Sequence, residues 1–152
     1  MHAGPAASVP SIDLRPANQD DVHFVAQVYG RAMGPVLRAA GLDLAQQGAL
    51  LLAQWKPAEI RIIRAAGRDA GWIQVAATAD GAFIRNFCID PDWQKLGLGS
   101  AVLRIVLAEA AARGDAVTLA VARANPARSL YVQFGFHITH DDAHHHYMRW
   151  VT

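Results

Sequence analysis

The chain has 152 residues, of which 53% are hydrophobic and 18% charged, and its 14 Lys and Arg residues against 13 Asp and Glu give a formal net charge of +1. This length suits one domain with a sizeable core and leaves no room for a second one. Because the charges nearly balance, they argue against the broad basic surface of a nucleic-acid-binding protein and against polybasic membrane binding.

Residues 1–11 contain no basic region followed by an apolar one, so we expect a flexible leader there rather than a signal peptide. The remaining residues, 12–152, are expected to form a single domain. No apolar run approaches the ~20 residues that a membrane-spanning helix needs, so no membrane partner is expected. Cys88 is the single cysteine, which excludes an intramolecular disulfide framework and fits a reducing compartment. The expected location is the cytoplasm.

The first half of the chain predicts one strand, two helices and a three-stranded meander. Residues 12–15 alternate like a short strand, and Asn18 is a candidate N-cap for a helix that continues to about Met33. A second helix is expected over residues 42–55, where Pro57 limits its extension. Three β-rich runs punctuated by glycines follow, and the last of them covers residues 82–89.

This third strand carries an irregularity. Its apolar pattern runs through Phe83 and Ile84 and resumes at Phe87, so the alternation is broken around Arg85 and Asn86. A break of parity within a strand is what a β-bulge produces.

The second half of the chain predicts alternating helices and strands. An amphipathic helix follows Gly99 and stops at Gly114. Residues 117–121 predict a buried strand, residues 127–134 a short helix, and residues 136–138 and 147–151 two closing strands. The predicted order of elements is therefore β-α-α-β-β-β-α-β-α-β-β.

A glycine-containing loop, residues 91–100, joins the irregular strand to the amphipathic helix. Gly97 and Gly99 let the backbone approach a ligand closely, and the first turn of the helix offers unpaired N–H groups and the positive end of its dipole. Such a loop suits a pyrophosphate, and a tight turn that binds nothing is the alternative. A P-loop is excluded because its Gly-Lys-Ser/Thr ending is absent, and a dinucleotide fingerprint would need a third glycine where Val102 stands.

Two segments give the chain a resemblance to a known family. Gln94-Lys95-Leu96-Gly97-Leu98-Gly99 matches the signature Q/R-x-x-G-x-G/A, and residues 125–136 resemble the segment Asn...Leu-Tyr-x-x-x-Gly-Phe. Over roughly residues 12–151 the chain therefore resembles the GNAT superfamily of N-acetyltransferases. The resemblance implies an α/β fold of the α+β type, with a mixed central sheet of six to seven strands, about four flanking helices, and splayed fourth and fifth strands.

The resemblance also implies a reaction, in which acetyl-CoA or a related acyl-CoA donates its acyl group directly to a primary amine. The backbone of residues 87–89 would pair with the pantetheine arm and polarise the thioester carbonyl. Tyr131 would act as general acid toward the departing thiolate, since a phenol with an ordinary pKa of ~10 is protonated at neutral pH. The implied acyl-CoA-binding residues are Phe87, Cys88, Ile89, Gln94, Lys95, Leu96, Gly97, Leu98, Gly99, Ser100 and Asn125.

The residues on the acceptor side are less defined by the sequence. Many members of the family place a glutamate on the fourth strand, but residues 82–89 contain no carboxylate. The general base is therefore left open between Asp80, a histidine acting through water, and an acceptor that needs no base. Candidate substrate contacts are Tyr29, Arg31 and Asn86.

The run His144-His145-His146 does not predict a metal site. Side chains alternate along a strand, so at most His144 and His146 would share a face, and two imidazoles do not close a zinc site. Cys88 has no evident histidine partner that would make it a nucleophile. No metal is therefore expected.

These observations favour an N-acetyltransferase that acts on a small-molecule or peptide amine, without a nucleic-acid partner and with homodimer formation left open. The alternative from another class is a non-catalytic acyl-CoA-binding or regulatory domain, because the strand carboxylate is missing. A nucleotide-binding α/β domain is a third hypothesis, which stabilisation by ATP or NAD rather than by CoA would support.

Overall fold

The computed structural model describes residues 10–152, so most of the predicted leader lies outside the described residues. Within this range the strands are β1 (Ile12–Pro16), β2 (Ile60–Ala65), β3 (Arg68–Thr78), β4 (Gly81–Ile89), β5 (Ala116–Ala122), β6 (His137–Asp141) and β7 (His145–Trp150). The α-helices of the same range are α1 (Val22–Ala39), α2 (Leu44–Ala53), α3 (Leu98–Arg113) and α4 (Arg128–Gln133). The predicted order of elements is confirmed. None of the described helices is long and apolar enough to cross a membrane.

All seven described strands form one mixed sheet in the order β1-β2-β3-β4-β5-β7-β6. The β4–β5 pair is parallel, whereas the other neighbouring strands pair antiparallel. This arrangement confirms the mixed sheet and the number of strands and helices that the sequence implied.

Helices cover the sheet on its two faces. Successive residues of the central strands alternate between two hydrophobic clusters, so Ile62 and Trp72 pack with α1, whereas Ile63 and Ile73 pack with α3. All four of these side chains are fully buried, and burial of each contributes about 1.5–3 kcal/mol. The α1–α2 layer and the α3–α4 layer are thereby fixed on opposite faces.

The start of α1 agrees with the prediction, in that Asn18 caps it through a short 3-10 turn. The Asn18 side chain accepts a hydrogen bond from the Asp20 amide at 2.8 Å, and the Asp21 carboxylate accepts one from the Asn18 amide at 2.9 Å. This reciprocal arrangement is a capping box. Arg15 of β1 donates two hydrogen bonds to the same Asp21 carboxylate, at 2.8 and 3.0 Å. The capped turn therefore ties α1 to the sheet.

The predicted end of α1 near Met33 is wrong, because the helix continues through Pro35 to Ala39. The added turn buries Leu37 in the cluster of α1, which offsets the hydrogen bond that the proline cannot make. The stop is Gly41, whose φ of 75° lies in the left-handed region. The Leu42 amide then donates to the Leu37 carbonyl at 2.8 Å, as in a Schellman motif.

The irregularity predicted in β4 is confirmed as a bulge at Arg85. Val75 pairs with Ile84 and Gln74 pairs with Asn86, so Arg85 has no partner residue in β3. Because of the extra residue, Arg85 and Asn86 both line a recess beside α2 instead of pointing to opposite faces.

Candidate active site

The candidate site begins where β4 and β5 separate. Their parallel ladder ends at Ile84 and Leu119, one residue before the bulge. Beyond this pair, β4 stays bonded to β3 as far as Ile89, and β5 stays bonded to β7 as far as Ala122. Residues 85–89 and 120–122 therefore face each other across an open cleft, and the splay implied for strands four and five is confirmed.

Two cavities open on this cleft. The loop-side cavity, about 210 Å³, reaches Gln94 and Gly99 of the glycine loop. The hairpin-side cavity, about 340 Å³, lies between the α1–α2 layer and the β6–β7 hairpin. The residues that line both cavities are Met33, Phe87, Cys88, Asn125 and Tyr131. The two cavities therefore adjoin at these five residues, where ligands bound in each would come into contact.

Tyr131 is placed by α4 at the junction of the cavities. Its ring packs edge-on against Phe136 with the ring centroids 5.6 Å apart, and only 7% of the residue is exposed. Burial, together with the nearby Cys88, raises the pKa of the Tyr131 hydroxyl above its ordinary value. The phenol therefore stays protonated, and no hydrogen bond to another described residue engages its proton.

Cys88 lies on β4 and packs in the cluster of α1 with Trp72. Burial raises the pKa of its thiol to about 12, so the thiolate that nucleophilic catalysis requires is scarce at neutral pH. The contribution of Cys88 to the cleft is therefore its backbone, which lies between those of Phe87 and Ile89.

The glycine loop ends at the N-terminus of α3. Gly97, with a φ of 84°, takes the N-cap position, and the first intrahelical bond runs from the Ala101 amide to the Gly97 carbonyl at 3.1 Å. The amides of residues 98–100 consequently have no acceptor within the helix. Unpaired N–H groups at the positive end of a helix dipole favour an anion.

Two side chains fix the loop. Leu98 is 1% exposed and packs with Ala65 and Ala70, while Gln94 donates to the Ile89 carbonyl at 2.9 Å. Lys95, whose φ is 64°, and Leu96 are exposed at the tip of the loop. The structure thus brings the predicted residues 94–100 together next to the end of β4.

Asn125 is set between β5 and α4. Its side-chain oxygen accepts a hydrogen bond from the Ala127 amide at 2.9 Å, which shapes the turn into α4. The residue therefore both lines the cleft and holds the helix that carries Tyr131.

The three predicted substrate contacts lie in different surroundings. Tyr29 and Asn86 line the hairpin-side cavity. Arg31 does not line either cavity, since its guanidinium pairs with Asp90 at 2.8 Å and with Asp92 at 3.3 Å. Arg31 instead joins α1 to the segment that leads into the glycine loop.

Asp80, one of the bases considered from the sequence, lies in the turn between β3 and β4 and pairs with Arg149 at 3.0 Å. Six residues at the rise of a strand separate Gly81 from Phe87, which is about 20 Å. Asp80 is therefore remote from the cleft.

The histidine run is divided by the hairpin. His144 lies in the turn before β7 and His145 opens the strand, and both line the hairpin-side cavity. His146 instead contacts Asp141 and Arg128. At most His144 and His146 are expected from the sequence to share a face, and the structure places only His144 of these two at the hairpin-side cavity. Residues 10–152 contain no group of three His, Cys, Asp or Glu side chains arranged to hold a metal ion.

Asp142 holds this turn together and was not singled out in the sequence. One of its oxygens accepts the amide hydrogens of His144 and His145 at 2.8 and 2.7 Å, and the other accepts the Tyr147 hydroxyl at 2.6 Å. These hydrogen bonds hold the pKa of Asp142 below its usual range, and the one from Tyr147 has the largest effect. The His145 Nδ1 lies 3.4 Å from the same carboxylate. An aspartate followed by small and polar residues is the available signal for such a turn.

Comparison with known structures assigns the class of fold. PaiA N-acetyltransferase from Thermoplasma acidophilum, solved in complex with coenzyme A, superposes with a TM-score of 0.77 at 17% identity, over 93% of this chain and 99% of that one. An acetyltransferase from Thermus thermophilus gives a TM-score of 0.76 at 18% identity, over 95% of this chain and 99% of that one. The fold is thus that of acetyltransferases. A search of curated protein sequences returns no match.

A family model described as "Acetyltransferase (GNAT) domain" matches residues 56–138, more than half of the chain. The chain therefore belongs to the GNAT acetyltransferase family, as its two motifs implied. The matched part runs from the start of the meander through the glycine loop and Tyr131 into β6.

Proposed function

We propose that the protein transfers an acetyl group from acetyl-CoA to a primary amine. The observation that carries this proposal is the cleft itself: two splayed strands end beside a helix N-terminus whose first three amides are free. An extended thioester with a pyrophosphate matches these two features together.

Acetyl-CoA would occupy the loop-side cavity. The amides of residues 98–100 would bind the pyrophosphate, with Gln94, Lys95, Leu96 and Gly97 forming the loop around it. The part of the residue 87–89 backbone that has no partner in β5 would pair with the pantetheine arm, and one of its N–H groups would stabilise the negative charge that develops on the thioester oxygen. Such a donor contributes about 3 kcal/mol in a transition state.

Tyr131 would supply the proton that the leaving group needs. The amine nitrogen attacks the thioester carbon, and the new C–N bond replaces the C–S bond. The departing thiolate takes the phenolic proton, and the proton that the acylated nitrogen loses restores the phenol. A buried phenol without a protein acceptor is suited to this role, because it is protonated and free to donate.

The base would be His145, which lines the hairpin-side cavity from the acceptor side. An ammonium with a pKa near ~10 leaves only about one free amine in a thousand at pH 7, so proton removal assists the reaction. The Asp142 carboxylate, 3.4 Å from the His145 Nδ1, would orient the ring. This assignment selects one histidine from the alternatives that the sequence left open.

A non-catalytic acyl-CoA-binding domain is the competing hypothesis, since β4 carries no carboxylate. The test is to incubate the protein with acetyl-CoA and a panel of amines and to record CoA release with a thiol reagent. Amine-dependent release supports the transferase. Stabilisation by acetyl-CoA in a melting experiment, without release for any amine, would instead support the binding domain.

A further inference from the structure

Within the described part of the chain, the hairpin-side cavity lacks the acidic side chains that would balance the charge of an ammonium group. None of the described residues that line it is an Asp or Glu, while Arg85 does line it, together with His144 and His145. A cationic amine would therefore enter a cavity whose described lining residues carry no carboxylate. A charged amine that is partly desolvated without a counter-charge is disfavoured, so a simple alkylammonium or a diamine suits this cavity poorly.

Arg85 has donors that no protein group uses. Its Nε donates to the Glu59 carboxylate at 3.1 Å, but its two terminal nitrogens make no hydrogen bond to any residue within 10–152. Arg61, by contrast, uses both terminal nitrogens on Glu109, at 3.0 and 2.8 Å. The terminal nitrogens of Arg85 are therefore available to bind a planar anion in the bidentate manner that guanidinium favours.

A second cation stands next to Arg85. The Arg85 recess, which we define as the space of about 370 Å³ lined by Leu51, Gln54, Lys56, Gln74, Phe83, Arg85 and Asn86, adjoins the hairpin-side cavity through Arg85 and Asn86. Lys56 forms no ion pair with a described residue. The remaining polar side chains of the recess are neutral amides, and those of Asn86 and Gln74 hydrogen bond to each other at 3.0 Å. Among the described residues, the recess is thus lined by two cations and no carboxylate, and Glu59, outside the lining, pairs with one of them.

The bulge gives Arg85 this position. Without the extra residue, Arg85 and Asn86 would point to opposite faces of the sheet, and only one of them could face the acceptor side. Three residues of strand separate Arg85 from Cys88, which is about 10 Å along β4. An anion held by Arg85 and an amine near the Cys88 backbone therefore lie within the length of one small molecule.

We infer that the acceptor is a small amine that also carries a carboxylate or phosphate group, with the anion bound by Arg85 and assisted by Lys56. This inference rests on the proposed acetyl transfer and specifies its substrate class. The amine then enters as part of a zwitterion, so its own charge is balanced within the molecule and the cavity needs no acidic side chain.

The experiment compares acceptors of equal length and different end groups. The ω-amino acids from glycine to 6-aminohexanoate are assayed with acetyl-CoA against the matching n-alkylamines and α,ω-diamines, with aminoalkyl phosphates as a further arm that distinguishes the two anions. We expect kcat/KM for the anionic acceptors to exceed that of diamines of equal length by at least about tenfold. If diamines or alkylamines are acetylated as fast as every anionic acceptor, the inference is overturned, whereas acetyl transfer remains established.

Variants then locate the anion. Arg85→Gln should lower kcat/KM for anionic acceptors by about tenfold or more and leave that for alkylamines nearly unchanged. Arg113→Gln removes the same charge from an exposed ion pair with Asp115 at the end of α3, and it controls for net charge. An equal loss for both variants, or an equal loss for anionic and neutral acceptors in Arg85→Gln, would contradict the role of Arg85. Melting temperatures confirm that both variants fold.

A readout independent of turnover separates this inference from the proposed function. With CoA present, anionic amines should raise the melting temperature more than diamines of the same length, and Arg85→Gln should remove that difference. Absence of CoA release for any amine refutes the transferase, whereas absence of this difference refutes the anionic acceptor.

Discussion

Ile84 and Leu119 form the last pair of the parallel ladder between β4 and β5. The next residue, Arg85, is the bulged one, so the strand is deflected at the point where the ladder stops. The separation of the two strands thus has a local cause, which is one additional residue in β4. The loss of parallel pairing, the open backbone of residues 87–89 and the placement of Arg85 all follow from that residue.

Replacing Tyr131 by Phe should lower kcat about 10²-fold while acetyl-CoA still binds, because the ring packing on Phe136 is retained and only the acidic proton is lost. CoA release measures the rate, and the acetyl-CoA-dependent rise in melting temperature measures binding. Tyr29→Phe removes the same atom from the wall of the hairpin-side cavity and should change KM more than kcat. An unchanged kcat in Tyr131→Phe would exclude Tyr131 as the general acid.

His145→Gln should lower turnover about 10²-fold at neutral pH and recover part of it as the pH is raised, because free amine and hydroxide then replace the base. Asp142→Asn should produce a smaller loss in the same direction, since it weakens the orientation of the ring without removing it. The pH dependence of kcat/KM for the three proteins is the measurement. A His145→Gln variant with the wild-type profile would show that the base lies elsewhere.

Gly97→Ala should weaken acetyl-CoA binding at least tenfold. Position 97 has a φ of 84°, so an added Cβ costs about 1 kcal/mol and shifts the loop that presents the free amides. Gly114→Ala is the matched control, because Gly114 has a φ of 72° at the opposite end of the same helix. Both variants should lose similar stability in urea, and only the first should lose affinity. Equal affinities would show that the loop conformation does not matter for binding.

The Cys88 thiol should be nearly inert toward iodoacetamide in the folded protein. With a pKa of about 12, only about one thiol in 10⁴ is ionised at pH 8, compared with roughly a quarter for an ordinary cysteine. Intact-mass measurement should therefore show alkylation more than 10³-fold slower than in urea-unfolded protein. Rapid modification of the native protein would indicate that the cleft backbone at Cys88 is more open than the structure shows.

Asp21→Asn should destabilise the protein by about 1–3 kcal/mol at pH 7, because it breaks the bond from Arg15 and the capping box of α1. The Arg15 guanidinium lowers the pKa of Asp21 in the folded state, so this stabilisation is complete above the unfolded carboxyl's pKa of ~3.9 and is lost as the pH falls below it. Urea unfolding at pH 7 and pH 3 should therefore show a difference between wild type and variant that shrinks in acid.

The exposed Asp20 provides the control, since it lies in the same turn. Asp20→Asn should change the free energy of unfolding by only a few tenths of a kcal/mol at either pH. A comparable loss in both variants would indicate a general effect of negative charge at the helix start.

Much of the fold could be predicted from local pattern. The order of elements follows from hydrophobic periods and glycine punctuation, and the bulge follows from the broken alternation around Arg85. The extension of α1 could not be predicted in this way, because burial of Leu37 outweighs the local cost of Pro35. Gly41 was the available signal for the true stop.

The same distinction between local pattern and long-range contact applies to the candidate site. The glycine loop and Tyr131 lie in contiguous motifs, so the sequence could indicate them. The unpaired terminal nitrogens of Arg85 and the turn around Asp142 depend on which partners other segments supply. Arg31 illustrates the same point in reverse, since two aspartates about sixty positions away occupy its donors.

The splay also bears on aggregation. A strand with unpaired N–H and C=O groups usually lies at the edge of a sheet, where it can pair with a strand from another chain. The open segment of β4 lies inside the sheet instead, with β3 on one side, β5 and β7 across the cleft, and α1 above. Its hydrogen-bonding groups are therefore reached through the two cavities and not along a free edge of the sheet.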